Sequence, residues 1–199
     1  MKQSDIIATM TPKELRLNIV YSQLFLCVIA TVLALFFFNS IDDWTNLFKF
    51  KLKEIIVYGF GAGFVVVILE LVLYLIIPNR YFDDGGINQK IFEHCPISEL
   101  IVLTLCIAIT EEFLFRGVLQ TNFGLVIASV LFILAHTRYL RRPLLLSLLI
   151  ILSIYLGLLY EWTGNLFVPI ATHFTIDFIL GLLIRSNKWG AIYGPKQAK

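Results

Sequence analysis

The sequence predicts an all-α membrane protein, a polytopic bundle of about six transmembrane helices. Three observations predict it. Of 199 residues, 58% are hydrophobic and 15% charged, with a mean hydropathy of +0.83, well outside the composition of soluble globular domains. The apolar residues are gathered into runs, most of which approach the roughly 20 residues needed to cross a hydrocarbon core of about 30 Å. These runs are too long and too uniformly apolar for the alternating strands of a porin, which leaves helices as the way to satisfy backbone amides in lipid.

The first run is Val20 to Phe38. Lys2, Lys13 and Arg16 precede it and no small-residue cleavage signal follows, so it is expected to be a retained span and not a signal peptide. A polar loop, Asn39 to Glu54, leads to the second run, Ile55 to Ile77. Its Gly59, Gly61 and Gly63 read as close-packing residues, since no strand precedes them as a nucleotide loop requires. The loop from Pro78 to Pro96 holds the turn signal Asp83-Asp84-Gly85-Gly86 and a solvated His94. A third run from Ile97 to about Phe123 is expected to turn at Thr121 to Gly124 into a short fourth, Leu125 to Ala135. After the basic loop TRYLRRP come Leu144 to Tyr160 and Leu166 to Ile184.

The chain thus reads as one membrane domain over 1–199. A helix pair in 20–77 is nearly free of ionisable groups, and a segment over 97–185 holds almost all of them. With six spans and an internal N-terminus, Lys2, Lys13, Arg16, Arg80, Lys90, Arg138, Arg141, Arg142, Arg185, Lys188, Lys196 and Lys199 fall on one side, against Lys49, Lys51 and Lys53 on the other. That bias predicts both termini in the cytoplasm, and the compact chain points to a bacterial cell membrane. Cys27, Cys95 and Cys106 show no metal-type pairing or disulfide framework. A net charge of +2 without a basic patch predicts no nucleic-acid partner.

An ionisable side chain in a span costs about 2.5–3.5 kcal/mol on insertion scales and normally marks function. Those within the runs are Glu70, Glu111, Glu112, Arg116, His136, His173 and Asp177. Glu112 and Arg116 are four apart on a helix, in the favourable order, and can neutralise each other. Glu111, turned by about 100°, is left over for chemistry; the plainer alternative is one structural cluster of both glutamates with Arg116. His173 and Asp177 repeat the four-residue spacing, with Pro169 one turn earlier, where it can bend the helix. Measured from a turn at Thr121 to Gly124, Glu111 and His136 each lie about 18 Å along their helices, and His173 lies about 14 Å below the same face. All three can meet at one level. Glu70, without a matching partner, reads as a packing or interhelical hydrogen-bonding residue.

A carboxylate and two histidines in a dry cavity suit general-base attack of water on a peptide carbonyl. Glu111 accepts the proton with help from His136, and His173 with Asp177 serves the oxyanion. The set Glu111, His136 and His173 can equally hold a divalent metal such as zinc. No HExxH is present.

EEFLFR (Glu111 to Arg116), FILAH (Phe132 to His136) and HFTID (His173 to Asp177) match, in order and spacing, the EExxxR, FxxxH and HxxxN/D motifs. The chain in this respect resembles the CAAX protease and bacteriocin-processing (CPBP, or Abi) family over roughly Ser98 to Leu183, and FRGVLQ is similar to that family's continuation. The resemblance implies an intramembrane endopeptidase whose catalytic core is formed by the C-terminal four helices. It also implies a membrane-embedded or membrane-associated peptide substrate, and a role in bacteriocin processing or self-immunity. It assigns Glu111 and His136 to water activation, His173 and Asp177 to the oxyanion side, and Glu112 and Arg116 to structural support. Metal-dependent and glutamate-based chemistry are both described for it. Asp177 stands where the eukaryotic pattern has asparagine. A non-proteolytic immunity or binding protein on the same fold is the alternative, and a proton-coupled transporter is disfavoured by the small helix count and the lack of repeated halves.

Overall fold

A computed structural model describes residues 9–186, and every regular element among them is a helix. Five helices are long and apolar enough to cross a membrane: α1 (Pro12–Phe37), α2 (Leu52–Ile76), α3 (Ile97–Ala135), α4 (Pro143–Thr163) and α5 (Phe167–Arg185). The protein is an integral membrane bundle. All six apolar runs lie in these five helices, because α3 contains two of them. Gly124 has φ 82° and ψ 169°, a backbone conformation that only glycine adopts without strain, and there the chain doubles back. Phe115 on the outgoing arm meets Phe132 on the returning arm edge to face, with ring centroids 5.0 Å apart. The returning arm, residues 125–135, is about 16 Å long and is the short run foreseen in the sequence.

One boundary and one expected bend differ from the sequence expectation. α1 begins at Pro12 and not near Val20, because Thr11 and Glu14 form a reciprocal cap on its first turn, with Thr11 N donating to Glu14 Oε2 at 2.7 Å. Arg16 therefore lies within the helix, where it reaches Glu99 at 3.0 Å and the Ile91 carbonyl at 3.0 Å. Pro169 lies in the first turn of α5, where its missing N–H would have had no intrahelical partner in any case, so it need not bend the helix near His173.

The helix ends gather at two faces. At one, the loop 38–51 with its short helix Ile41–Thr45 meets the Gly124 bend and the start of α5. Phe37 packs on Phe123 at 5.1 Å, and Leu166 N donates to Leu47 O at 2.8 Å. At the other, the loop after α2, with the short helix Ile87–Phe92, meets the 136–142 turn and the end of α5. Arg138 reaches Asn88 at 3.1 Å and Arg185 the Cys95 carbonyl at 2.6 Å. The basic residues divide accordingly. Lys49, Lys51 and Lys53 lie at the first face, whereas Lys13, Arg16, Arg80, Lys90, Arg138, Arg141, Arg142 and Arg185 lie at the second. Lys2, Lys188, Lys196 and Lys199 are outside the described residues.

α2 and α5 run side by side in the same direction, and glycine sets their spacing. A Cβ on Gly59 would stand 2.8 Å from Ala171 Cβ, and one on Gly63 would stand 2.6 Å from Thr175 Cβ and 2.9 Å from Thr172 O. Gly61 differs from the expectation, since a Cβ there would meet only the Ile56 carbonyl of its own helix at 3.6 Å. Gly63→Ala is thus expected to lower stability by about 1–3 kcal/mol through overpacking, read as a lower melting temperature in detergent. Gly61→Ala should leave it unchanged or slightly raised. Equal effects at the two positions would contradict the packing.

The core lies mainly around the α3 hairpin, where Ala30 of α1 and Leu149 of α4 pack on Leu114, Phe115, Leu119, Ala128 and Phe132. The outer faces of α1 and α2 present exposed apolar side chains such as Phe25, Val32, Phe36, Val65 and Leu69, the surface a lipid environment requires.

Candidate active site

Glu111 and Glu112 end the regular α-helical part of α3, where the helix widens into π turns over Phe113–Gln120, a distortion frequent at functional sites. Being adjacent on a helix, they face different directions, and each direction has its own partners. Glu112 is fully buried, and its Oε1 accepts from Arg116 Nη1 at 3.2 Å and from His173 Nδ1 at 2.8 Å. The neutralising pair read from the sequence is present, but Glu112 also holds the histidine of the third motif. Arg116, 1% exposed, donates from Nη2 to the Ser153 carbonyl at 3.0 Å and lies 4.4 Å from the centre of the Phe132 ring. One turn on, Gln120 Nε2 donates to the Gly157 carbonyl at 2.9 Å. Arg116 and Gln120, four apart, thus face Ser153 and Gly157, also four apart, and bind α3 to α4.

Glu111 points into the bundle on the other side. Its Oε1 accepts from Gln23 Nε2 of α1 at 3.0 Å, and its Oε2 lies 3.7 Å from His136 Nε2. His136 comes from the end of the returning arm, so the Gly124 bend is what brings it back to the level of Glu111. His136 Nδ1 lies 2.8 Å from the Phe132 carbonyl. A carbonyl only accepts, so Nδ1 carries the proton and, in the neutral ring, Nε2 presents a lone pair toward Glu111. His173 Nε2 faces Asp177 Oδ2 at 3.5 Å, placing this imidazole between two carboxylates.

Glu111, His136, His173 and Asp177 line one cavity of about 730 Å3, and Glu112 and Arg116 stand behind its wall. The rest of the lining is mostly apolar, with Leu26, Leu71, Leu148 and Leu180 drawn from four helices. Glu70, expected as a packing residue, lines the same cavity and has Asp177 as a charged neighbour. Toward the basic face the lining includes Asp84, Asn88, Arg138 and Tyr139. Asp84 accepts from the Ile87 and Asn88 amides at 3.1 and 2.9 Å. Burial pushes its carboxyl above the ordinary range, opposed by Arg138 and these amides.

The set Glu111, His136 and His173 expected to hold a metal is not drawn together at metal-ligating spacing in this structure. Both nitrogens of His173 face the carboxylates of Glu112 and Asp177, and no group of three or more His, Cys, Asp or Glu spaced to hold a metal occurs among the described residues. Cys27, Cys95 and Cys106 are free thiols, and none of them lines the cavity.

Three partners escaped the sequence reading. Gln23 is a lone amide in an apolar run, a visible signal, but only the fold shows what it meets. Ser153 and Gly157 mirror the spacing of Arg116 and Gln120, which is informative only once α3 and α4 are known to be neighbours.

Comparison with known proteins gives two matches. The family model described as type II CAAX prenyl endopeptidase Rce1-like matches residues 94–179. A protein of Bacillus subtilis (strain 168), named "Uncharacterized protein YpbD", is 44% identical over 164 residues, covering 82% of this chain and 87% of the relative. No solved structure matches. The stretch matched by the family model includes all three motifs and leaves out Gln23 and Glu70.

Proposed function

Because this chain belongs to the Rce1-like family of type II CAAX prenyl endopeptidases, we propose that it is an intramembrane peptide hydrolase that cuts membrane-associated substrates with a water activated by Glu111 and His136. The observation that carries this reading is the approach of Glu111 Oε2 to His136 Nε2, 3.7 Å apart in the wall of the cavity. That gap suits a water donating one O–H to each acceptor. With a peptide carbonyl in the cavity, Glu111 takes the proton as the water oxygen attacks the carbonyl carbon. The carbonyl π electrons move to oxygen, and His173, its Nδ1–H held by Glu112, offers Nε2–H to the oxyanion when the ring is protonated. On collapse the C–N bond breaks and the proton on Glu111 passes to the leaving amine. Proton and electron counts close without a cofactor.

Asp177 acts through His173 in this scheme. Asp177→Asn, whose amide can itself donate to the oxyanion, is expected to keep kcat within about tenfold of the parent. Asp177→Leu is expected to lose about tenfold to a hundredfold, the range of one charge-assisted hydrogen bond of about 1.5–3 kcal/mol. A kcat unchanged in both variants would remove Asp177 from the mechanism.

The test of the function is cleavage itself. The purified chain, reconstituted in vesicles with a panel of membrane-anchored peptides, is expected to yield new termini by mass spectrometry that Glu111→Gln protein does not. Identical products from both would overturn the reading. The excess of basic residues at the face that carries Arg138 and Arg185 supports a cytoplasmic location for that face and, with it, for the cavity end lined by Asn88 and Tyr139.

A further inference from the structure

α1 is mostly lipid-facing, and its buried residues are Leu15, Gln23, Ala30 and Ala34. Three of these four are small or apolar, as helix packing in lipid requires. Gln23, 4% exposed, breaks the pattern at the level of the cavity. An amide buried in an apolar bundle costs free energy unless it is hydrogen-bonded, and its hydrogen bond is the one from Nε2 to Glu111 Oε1 at 3.0 Å. A carboxylate there accepts, so the NH2 end of Gln23 must face it. Gln23 Oε1 and Glu111 Oε2 are both buried without a hydrogen-bond partner among the described residues, and both side chains line the cavity. One oxygen of Glu111 is therefore occupied by Gln23, and the other faces His136.

Resting on the function proposed above, we infer that Gln23 is a positioning residue for Glu111. Its amide fixes the carboxylate rotamer so that Oε2, and not Oε1, meets His136, and it donates to the carboxylate without being able to take the substrate water's proton. α1 therefore belongs to the active site, although the stretch matched by the family model begins well after it. A residue serving only to join α1 to α3 would give a different result on substitution. Loss of an interhelical hydrogen bond lowers stability and leaves turnover per folded molecule intact.

The experiment compares Gln23→Leu, Gln23→Glu and the parent chain in vesicles, with kcat and KM measured on one cleavable peptide and melting temperature on the same preparations. Gln23→Leu is expected to lower kcat by about tenfold to a hundredfold, the range set by one hydrogen bond to a charged group, with KM unchanged within about twofold. Gln23→Glu, which puts a second carboxylate against Glu111, is expected to lose at least as much. A readout independent of turnover is the infrared band of the Glu111 carboxyl, identified as the band absent in Glu111→Gln, which should shift in Gln23→Leu. An unchanged kcat and an unmoved band in a cleaving protein overturn the inference and leave the proposed function standing. If the parent chain cleaves nothing, the function falls and the inference falls with it.

Discussion

Glu111→Gln is expected to lower kcat by about 10²–10⁴-fold, the range attributed to a positioned general base, while leaving the melting temperature close to that of the parent. The substitution is nearly isosteric. The amide oxygen can still accept from Gln23 Nε2, which lies 3.0 Å from Glu111 Oε1, and the NH2 end can donate to His136 Nε2, 3.7 Å from Oε2. Packing and hydrogen bonding are kept. What disappears is the ability to take a proton from water, so the loss should appear in kcat with little change in KM. His136→Ala is the informative companion, since it removes the second acceptor and leaves the base. A Glu111→Gln protein as active as its parent would show that proton transfer runs through some other group.

Arg116→Met is expected to produce the opposite profile, a loss of about 3–5 kcal/mol in stability, the cost of leaving a buried charge without its partner. Its guanidinium is 1% exposed, and it sits between Glu112, the Ser153 carbonyl and the face of Phe132. Removing it strands the Glu112 carboxylate, fully buried, with His173 alone, and takes from the Ser153 carbonyl the side-chain donor that joins α3 to α4. Unfolding in detergent followed by heat or denaturant should show this as a large downward shift. The double variant Arg116→Met with Glu112→Gln removes both charges and is expected to recover a substantial part of the loss. A double variant no more stable than Arg116→Met would mean that Arg116 acts through packing and not through charge.

Much of the bundle was legible in the sequence because lipid imposes few solutions. Once soluble folds and barrels are excluded, a run of apolar residues is a helix, and its spacing to the next run sets the hairpin. The position of the α3 turn followed from Thr121 to Gly124, and the convergence of Glu111 with His136 followed from counting residues from it. Partners that depend on which helix neighbours which were not legible. Gln23 meets Glu111 across 88 positions of chain, and nothing in an apolar stretch of α1 states which way its lone amide points. Glu112 was read as closed off by Arg116, because a pair at i and i+4 satisfies the local rule; a carboxylate has room for more than one donor, and His173 takes that room at 2.8 Å. The start of α1 was missed because the run was bounded by hydropathy, which polar residues do not raise, while the cap at Thr11 shows those residues to be a helical turn.

The ladder between α3 and α4 constrains how this protein can change in length. Arg116 and Gln120 engage Ser153 and Gly157, and at Gly157 the approach is so close that a Cβ would clash with Leu125 Cδ1 and lie 2.8 Å from Gln120 Oε1. A single residue inserted between Arg116 and Gln120, or between Ser153 and Gly157, rotates the far rung out of line by about 100°. Insertions and deletions are therefore expected to be tolerated in the loops at the two faces and not within the ladder, which engineered one-residue insertions followed by melting temperature would check.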